Sequence, residues 1–167
     1  MDKAFRMLIG DDEFVNRSSL DISIAGIISG ISDITKIDFD LGELGKDGIY
    51  RCARFPLPQT NLAEITIARS IGEMKRHVGG DYHVVATDLQ YEARMPYGGF
   101  EVLNAFKDGR AIKFLFTSTR DMSSLPLIKS SGADYIIAPH LYGLENKKHT
   151  LLGEAIGRHY IKAHTLG

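Results

Sequence analysis

The stretch Met7-Leu-Ile-Gly-Asp-Asp-Glu13 runs from an apolar segment directly into three acidic residues. Neighbouring carboxylates repel one another, so they need solvent, a helix N-terminus or a counter-charge. An isolated acidic pair at a strand-to-helix turn is usually a solvated helix cap. The rest of the chain decides between these interpretations, because acidic residues at other strand ends would turn the pair into a cluster.

The composition predicts one soluble domain. The chain has 167 residues, 44% of them hydrophobic, which is enough for a single core. Its formal net charge is -1, from 20 basic and 21 acidic residues, and this balance argues against binding to nucleic acid or anionic lipid. A single cysteine, Cys52, cannot form an internal disulfide, and we find no secretory signal and no apolar run long enough to span a membrane. We therefore expect a cytoplasmic protein.

Five short apolar runs predict strands, at residues 5–9, 34–39, 82–87, 112–116 and 135–137. These runs lack strict polar alternation, which is typical of strands covered on both faces of a parallel sheet. Segments of helical period lie between them, and this alternation of strand and helix predicts a doubly wound α/β domain built from five β-α units.

Apolar residues recur at spacings of three and four between the predicted strands, which indicates five helices. Their apolar faces fall at residues 20–31, 67–78, 100–106, 123–131 and 151–160. Asn61 and Glu64 have the spacing of a capping box before the second helix. Gly109 suits a left-handed end of the third, and Pro126 fits the first turn of the fourth.

Acidic side chains follow two of the predicted strands. Asp11 and Asp12 come after the first strand and Asp88 after the third, while Thr117 and Ser118 follow the fourth. The carboxyl ends of parallel strands share one edge, where ligands bind in doubly wound sheets. Three carboxylates held together there would raise a pKa or recruit a cation, and oxygen ligands suit Mg²⁺. The sequence thus predicts a Mg²⁺ site at Asp11, Asp12 and Asp88.

Four stretches together resemble the receiver domain of response regulators in two-component signal transduction. They are MLIGDDE, VVATD with the downstream MPYGGFEVL, FLFTS and GADYIIAP, in the order and approximate spacing of that family. The resemblance covers Phe5 to about Tyr160 and implies a flavodoxin-like (βα)₅ fold with strand order 2-1-3-4-5. We expect one receiver-like domain over 1–167, with an insertion at about 40–61 after strand two. The turn signal at 46–48 suggests that this insertion is an extra hairpin or a partner-binding arm.

The resemblance also implies a role for each residue of the site. Asp88 would accept a phosphoryl group from a histidine kinase or a phosphotransfer protein. Mg²⁺ would be held by Asp11, Asp12, Asp88 and the backbone carbonyl of Gln90. Thr117 would donate a hydrogen bond to the phosphoryl group, and Tyr135 would be the aromatic residue that switches conformation.

One departure from the family stands before Pro139, where the family has a lysine that pairs with the phosphoryl oxygens and this chain has Ala138. A charge-assisted contact of that kind is worth roughly 1.5 to 3 kcal/mol. Lys113, Arg120 and His140 lie nearby in the sequence, but none occupies the equivalent position. The substitution predicts weaker phosphorylation or an altered coupling of phosphorylation to the conformational switch.

These observations predict a stand-alone receiver that acts in a phosphorelay through protein contacts and has no enzymatic activity beyond its own phosphorylation and dephosphorylation. The chain ends soon after the fifth helix, so we expect no output domain. The expected partners are the phosphodonor and an unknown downstream protein, with a homodimer as a further candidate assembly and with no nucleic acid and no membrane.

Two alternatives remain open. In the first, the acidic pocket is retained but unused, and the chain is a phosphorylation-independent pseudo-receiver that only binds other proteins. In the second, Asp88 is the nucleophile of a phosphohydrolase. Such enzymes require a second acid two residues after the nucleophile, and Gln90 stands there in this chain.

Overall fold

The computed structural model describes residues 4–54, 57–92, 94–119, 121–143 and 147–165. In these ranges seven strands are β1 Phe5–Gly10, β2 Phe39–Leu44, β3 Ile49–Arg54, β4 Leu57–Ala68, β5 Val84–Asp88, β6 Ile112–Phe116 and β7 Tyr135–Ile137. The α-helices are α1 Arg17–Thr35, α2 Ile71–Lys75, α3 Gly98–Ala105, α4 Leu125–Lys129 and α5 Lys148–Thr165. Two single 3₁₀ turns occupy Met122–Ser124 and Pro139–Tyr142.

One sheet contains all seven described strands, in the order β2-β3-β4-β1-β5-β6-β7. The five strands from β4 to β7 in this order are parallel to their neighbours. The parallel part has the predicted order 2-1-3-4-5, with β4 as its second strand. In β1, Met7 and Ile9 are buried in one hydrophobic cluster and Leu8 in another, because successive side chains point to opposite faces. The prediction of strands covered on both faces is confirmed.

The position predicted for the second strand is wrong. Ile34 and Thr35 belong to the last turn of α1, and Lys36 caps this helix with a left-handed φ of 57°. The second parallel strand lies instead at β4, which pairs with β1 on one side and with β3 on the other. Pairing with two strands overrides the local preference that the sequence pattern suggested.

The second predicted helix is consequently much shorter than expected. Asn61 and Glu64 lie within β4 rather than at a helix cap. Helix α2 begins only after Ser70, whose hydroxyl accepts the N–H of Glu73 at 3.1 Å. Val78 lies beyond the helix and is exposed. Where a strand runs directly into a helix, the apolar residues fit both the two-residue spacing of a strand and the 3.6-residue spacing of a helix. The predicted boundary was therefore placed too early.

An antiparallel hairpin formed by β2 and β3 extends the sheet beyond β4. In its turn the N–H of Gly45 donates to the carbonyl of Ile49 at 3.0 Å, and the carboxylate of Asp47 accepts the N–H of Ile49 at 3.2 Å. Gly48 has a φ of 76°, a left-handed conformation that glycine adopts without steric cost. The turn signal at 46–48 and the extra hairpin are therefore confirmed.

Helices cover both faces of the parallel strands. The predicted apolar face of α1 is buried with α5 against one side of the sheet, and α2 and α3 contribute to the cluster on the other side. Pro126 lies in the first turn of α4 as predicted, whereas Gly109 lacks the left-handed φ expected of a helix cap. No helix in the described ranges combines the length and the apolar character needed to cross a bilayer.

Candidate functional site

Three aspartates meet at the carboxyl edge of the parallel sheet. Asp11 directly follows β1, and Asp88 is the last residue of β5, the parallel neighbour of β1. Asp11, Asp12 and Asp88 each present a carboxylate oxygen, and these oxygens all lie within 4.8 Å of one another. Asp11 and Asp88 are buried, whereas Asp12 is partly exposed. The predicted convergence is thus observed.

An open cleft of about 420 Å³ lies beside this cluster. Asp12, Asp88, Gln90 and Thr117 all contribute to its lining. Thr117 is buried, and its N–H donates to the carbonyl of Ile137 at 2.9 Å, so the end of β6 is held against β7. Four of the six candidate residues named from the family resemblance or the acidic cluster therefore line one cleft.

Tyr135 lies elsewhere. It begins the short edge strand β7, stacks on Phe114 with ring centroids 4.9 Å apart, and is 45% exposed. It is absent from the lining of the cleft among the residues that the structure describes. The side chain is therefore displaced from the position in which an aromatic residue would contact a ligand in the cleft.

The cluster contains a cation that the sequence analysis missed. Lys148, the first residue of α5, is 6% exposed and brings its Nζ to 3.3 Å from Asp11 Oδ2, 3.3 Å from Glu13 Oε2 and 3.7 Å from Asp88 Oδ2. The same ammonium lies 5.3 Å from the centre of the Phe116 ring. A buried lysine is rare unless it is paired, and here three carboxylates surround it.

His149 adds a second contact from α5. Its Nε2 lies 3.3 Å from the same Oδ2 of Asp11 that Lys148 approaches, while Asp11 Oδ1 accepts the N–H of Glu13 at 2.9 Å. Burial by itself raises the pKa of Asp11, but the hydrogen bond with His149 and the charge of Lys148 hold that pKa below its usual value. Asp11 is therefore the fixed, ionised member of the cluster.

Asp88 has the opposite electrostatic character. Burial raises its pKa to about 8, and although Lys148 lowers it, the nearby carboxylates of Asp11 and Glu13 add to the increase. Burial lowers the pKa of Lys148, but the charges of Asp88, Asp11 and Glu13 outweigh burial and raise that pKa above its usual value. Without further positive charge, Asp88 thus holds a proton that a metal ion could replace.

Asp12 is fixed by a strained loop. Its Oδ2 accepts the N–H of Glu92 at 2.9 Å, and Glu92 has a φ of 61°. A left-handed conformation costs a residue with a side chain about 1 kcal/mol or more, and such strain concentrates at functional sites. The loop after Asp88 thereby orients one carboxylate of the cluster.

Lys113 and His140, two of the three cations named from the sequence, form no ion pair with the described residues of the cluster. Lys113 pairs with Asp134, with Nζ 3.8 Å from Oδ2. His140 has a buried Nδ1 without a hydrogen-bond partner, and Arg120 lies outside the described residues. Ala138 is buried directly after β7, and its methyl group carries no charge.

A local signal for Lys148 existed in the sequence. Lys147 directly precedes the last helix and Lys148 and His149 open it, although the positive end of the helix dipole disfavours cations there. Basic residues at a helix N-terminus indicate that an anion lies opposite them. The predicted helix face at 151–160 started too late to include this signal.

No protein-family model matches the sequence, and no curated protein matches it significantly. Solved structures do match. A response regulator receiver domain protein from Methanospirillum hungatei JF-1 is 18% identical with a TM-score of 0.57, covering 99% of this chain and 100% of that one. The BeF₃-activated receiver domain of DrrB, a Thermotoga maritima protein, is 14% identical with a TM-score of 0.53, over 93% and 97% of the two chains.

The phosphorylated cyanobacterial phytochrome response regulator RcpA is a further match, 11% identical with a TM-score of 0.53, covering 92% of this chain and 91% of its own. These neighbours are receiver domains, and each aligns over nearly the whole of this chain. The predicted receiver fold is confirmed. At such low identity the likeness concerns the fold, and the chemistry of the site rests on its own residues.

Proposed function

We propose that this chain is a receiver domain that accepts a phosphoryl group on Asp88 in a Mg²⁺-dependent reaction and signals through protein contacts. The observation that carries the proposal is the cluster of Asp11, Asp12 and Asp88 at the edge of a receiver fold, beside an open cleft. We further propose that residues 1–167 form one cytoplasmic receiver-like domain, to which the hairpin of β2 and β3 is an addition.

The residues present fit a magnesium ion. All three side chains offer oxygen, the donor that Mg²⁺ prefers, and their oxygens are close enough to share one ion. Asp12 and Gln90 reach the cleft, where water can complete the coordination shell, and we assign the backbone carbonyl of Gln90 to the ligand set. Bound Mg²⁺ offsets the negative charge that gathers when a phosphoryl group approaches the carboxylates.

In the reaction, a carboxylate oxygen of Asp88 attacks the phosphorus of the donor. A new Asp88 O–P bond forms as the bond from phosphorus to the donor breaks, and the leaving group of the donor keeps the bonding electron pair. Thr117 lies in the same cleft wall, where we propose that its hydroxyl donates to a phosphoryl oxygen. The donor is a histidine kinase or a phosphotransfer protein, and the product is an acyl phosphate.

The neighbours support this class of partner in general terms, since they are receivers of response regulators and one was solved phosphorylated. The downstream protein is unknown, and a homodimer is a further proposed assembly. We assign no enzymatic activity beyond formation and loss of the acyl phosphate. Tyr135 can act as the switch aromatic only if it turns inward from its exposed position.

The decisive test is incubation with Mg²⁺ and acetyl phosphate, followed by intact mass and phosphate release. We expect one phosphoryl group on the wild type and on Asp108→Asn, an exposed control, and none on Asp88→Asn. Rapid multiple turnover would instead identify a phosphohydrolase. Absence of any adduct, together with no Mg²⁺-dependent change in a titration, would identify a pseudo-receiver.

A further inference from the structure

We propose that Lys148 is the cation that contacts the phosphoryl group on Asp88, supplied by α5 in place of the lysine missing at position 138. The phosphoryl group would then act on the first turn of α5 rather than on β7. This inference rests on the proposed function, because it assigns a residue to the same reaction.

The position of Lys148 supports a role toward an anion on Asp88. Its ammonium is in contact with Asp11 and Glu13 at 3.3 Å and is 3.7 Å from Asp88 Oδ2. The two shorter contacts hold the ammonium at the edge of the nucleophile. The longer one leaves room for a shift toward Asp88 when a phosphoryl group places more negative charge there.

Burial separates Lys148 from its neighbour in the sequence. Lys147 is exposed, whereas Lys148 is the one lysine or arginine in the buried class among the residues whose burial is described. Desolvating an ammonium is costly, so a lysine that served only to begin the helix would remain in solvent. The burial shows that the carboxylate cluster compensates for the lost hydration of this particular side chain.

The packing of α5 gives the contact a path to the rest of the molecule. A methyl group added at Gly153 would lie 2.0 Å from the carbonyl oxygen of Ile27, and one at Gly30 would lie 2.2 Å from the carbonyl oxygen of Thr150. The backbones of α1 and α5 are therefore in direct contact, without side chains between them to absorb a shift. A movement of Lys148 toward a phosphoryl group on Asp88 would therefore displace α5 and α1 together.

Replacement of Lys148 by methionine should affect two measurements in opposite directions. With acetyl phosphate and Mg²⁺, Lys148→Met should be phosphorylated about 10- to 100-fold more slowly than wild type, since a charge-assisted contact is lost. Its Mg²⁺ affinity should rise, because the competing cation has left the carboxylates. A lysine that merely held the site together would lower both quantities when removed.

Two matched variants complete the experiment. Lys147→Met removes the exposed neighbour and should match wild type in both measurements. The double variant Lys148→Met with Ala138→Lys returns an ammonium to the usual position and should recover part of the lost rate. Wild-type phosphorylation with an unchanged rate in Lys148→Met overturns this inference alone, whereas a wild type that takes no phosphoryl group overturns the proposed function with it.

A measurement on the wild type covers the case in which Lys148→Met does not fold. The ammonium signal of Lys148 can be followed by NMR with Mg²⁺ and beryllofluoride, a phosphoryl mimic. We expect that signal and the amides of 148–153 to shift in the wild type and to stay unchanged in Asp88→Asn. If the mimic binds and shifts the amide of Asp88 but leaves the Lys148 signal in place, the inference is overturned.

Discussion

The two flanks of the parallel sheet differ in what their sequences reveal and in what holds them together. On one flank, β5 and β6 are short, largely buried strands, and the site residues Asp88 and Thr117 lie at their carboxyl ends. The prediction gave β6 at its observed bounds and β5 within two residues of its observed bounds. On the other, β4 carries polar and apolar residues, continues almost directly into α2, and was mistaken for part of a helix. The short apolar runs at β5 and β6 are too brief for a typical helix and indicated strands, whereas the mixed pattern at the end of β4 fitted both a strand and a helix.

The energetics of the two flanks differ as well. On the flank of β5 and β6, the carboxyl edge of the sheet holds the buried charges of Asp88 and Lys148, so the stability of this flank depends on protons and metal ions. The hairpin flank is anchored to α1 by the buried Tyr50, whose hydroxyl donates to Asp21. If this contrast is correct, pH and metal should act on the residues around Asp88 and Lys148, and loss of the hydrogen bond between Tyr50 and Asp21 should act on the hairpin flank.

The largest expected effect concerns the ionisation of Asp88 in the metal-free protein. Burial raises the pKa of Asp88 from 3.8 to about 8, so the folded protein binds this proton more tightly than the unfolded chain does. The stabilisation is complete below the unfolded pKa and is lost as the pH rises through the folded value. The free energy of unfolding of wild type minus that of Asp88→Asn should therefore decrease between about pH 4 and about pH 8.

Urea unfolding in a chelator, repeated across this pH range, measures the difference. Subtracting Asp88→Asn removes the contributions of ionisable groups that do not interact with Asp88, and the remaining difference reports Asp88 together with its coupling to Asp11. Added Mg²⁺ should reduce the loss, because a bound cation takes over the role of the proton. If the difference in free energy of unfolding does not change with pH, the pKa of Asp88 is not raised in the folded protein, and the contrast between the flanks fails.

The second prediction tests the contact between α1 and α5 that positions Lys148. Gly153→Ala places a methyl group 2.0 Å from the carbonyl oxygen of Ile27, and two backbones must separate to make room. We expect a loss of about 1 to 3 kcal/mol in the free energy of unfolding, together with a weaker Mg²⁺ response.

Gly72→Ala is the control for this substitution. Gly72 is also helical, and the nearest atom to its added methyl group would be the Ser70 hydroxyl at 3.9 Å. This variant should be neutral or more stable by up to about 1 kcal/mol, because alanine favours the helix. Equal stability of the two alanine variants would show that α1 and α5 can separate freely.

Sequence reasoning located the acidic cluster because strand ends are local signals and parallel strands deliver them to one edge. Asp11 and Asp88 were found in this way, although they are 77 positions apart in the chain. Lys148 could not be found by the same rule, because it reaches the site from a helix and not from a strand end. Tyr135 was named because of its place in a motif, but the motif did not predict that its ring points away from the cleft.

The smallest expected effect concerns the hairpin flank. The Tyr50 hydroxyl donates to Asp21 Oδ1 at 2.5 Å, and the Tyr50 side chain is buried while that of Asp21 is half exposed. Tyr50→Phe should lower the free energy of unfolding by about 0.5 to 1.5 kcal/mol, because Asp21 can be hydrated once the bond is lost. Tyr97→Phe, at a ring that is 40% exposed, should leave the unfolding curve unchanged. Since the Tyr50 hydroxyl bonds to Asp21 and not to any of the three site aspartates, the Mg²⁺ affinity of Tyr50→Phe should equal that of wild type in a parallel titration. A change in Mg²⁺ affinity as large as the change in stability would mean that the two flanks respond as one unit, and the contrast between them would fail.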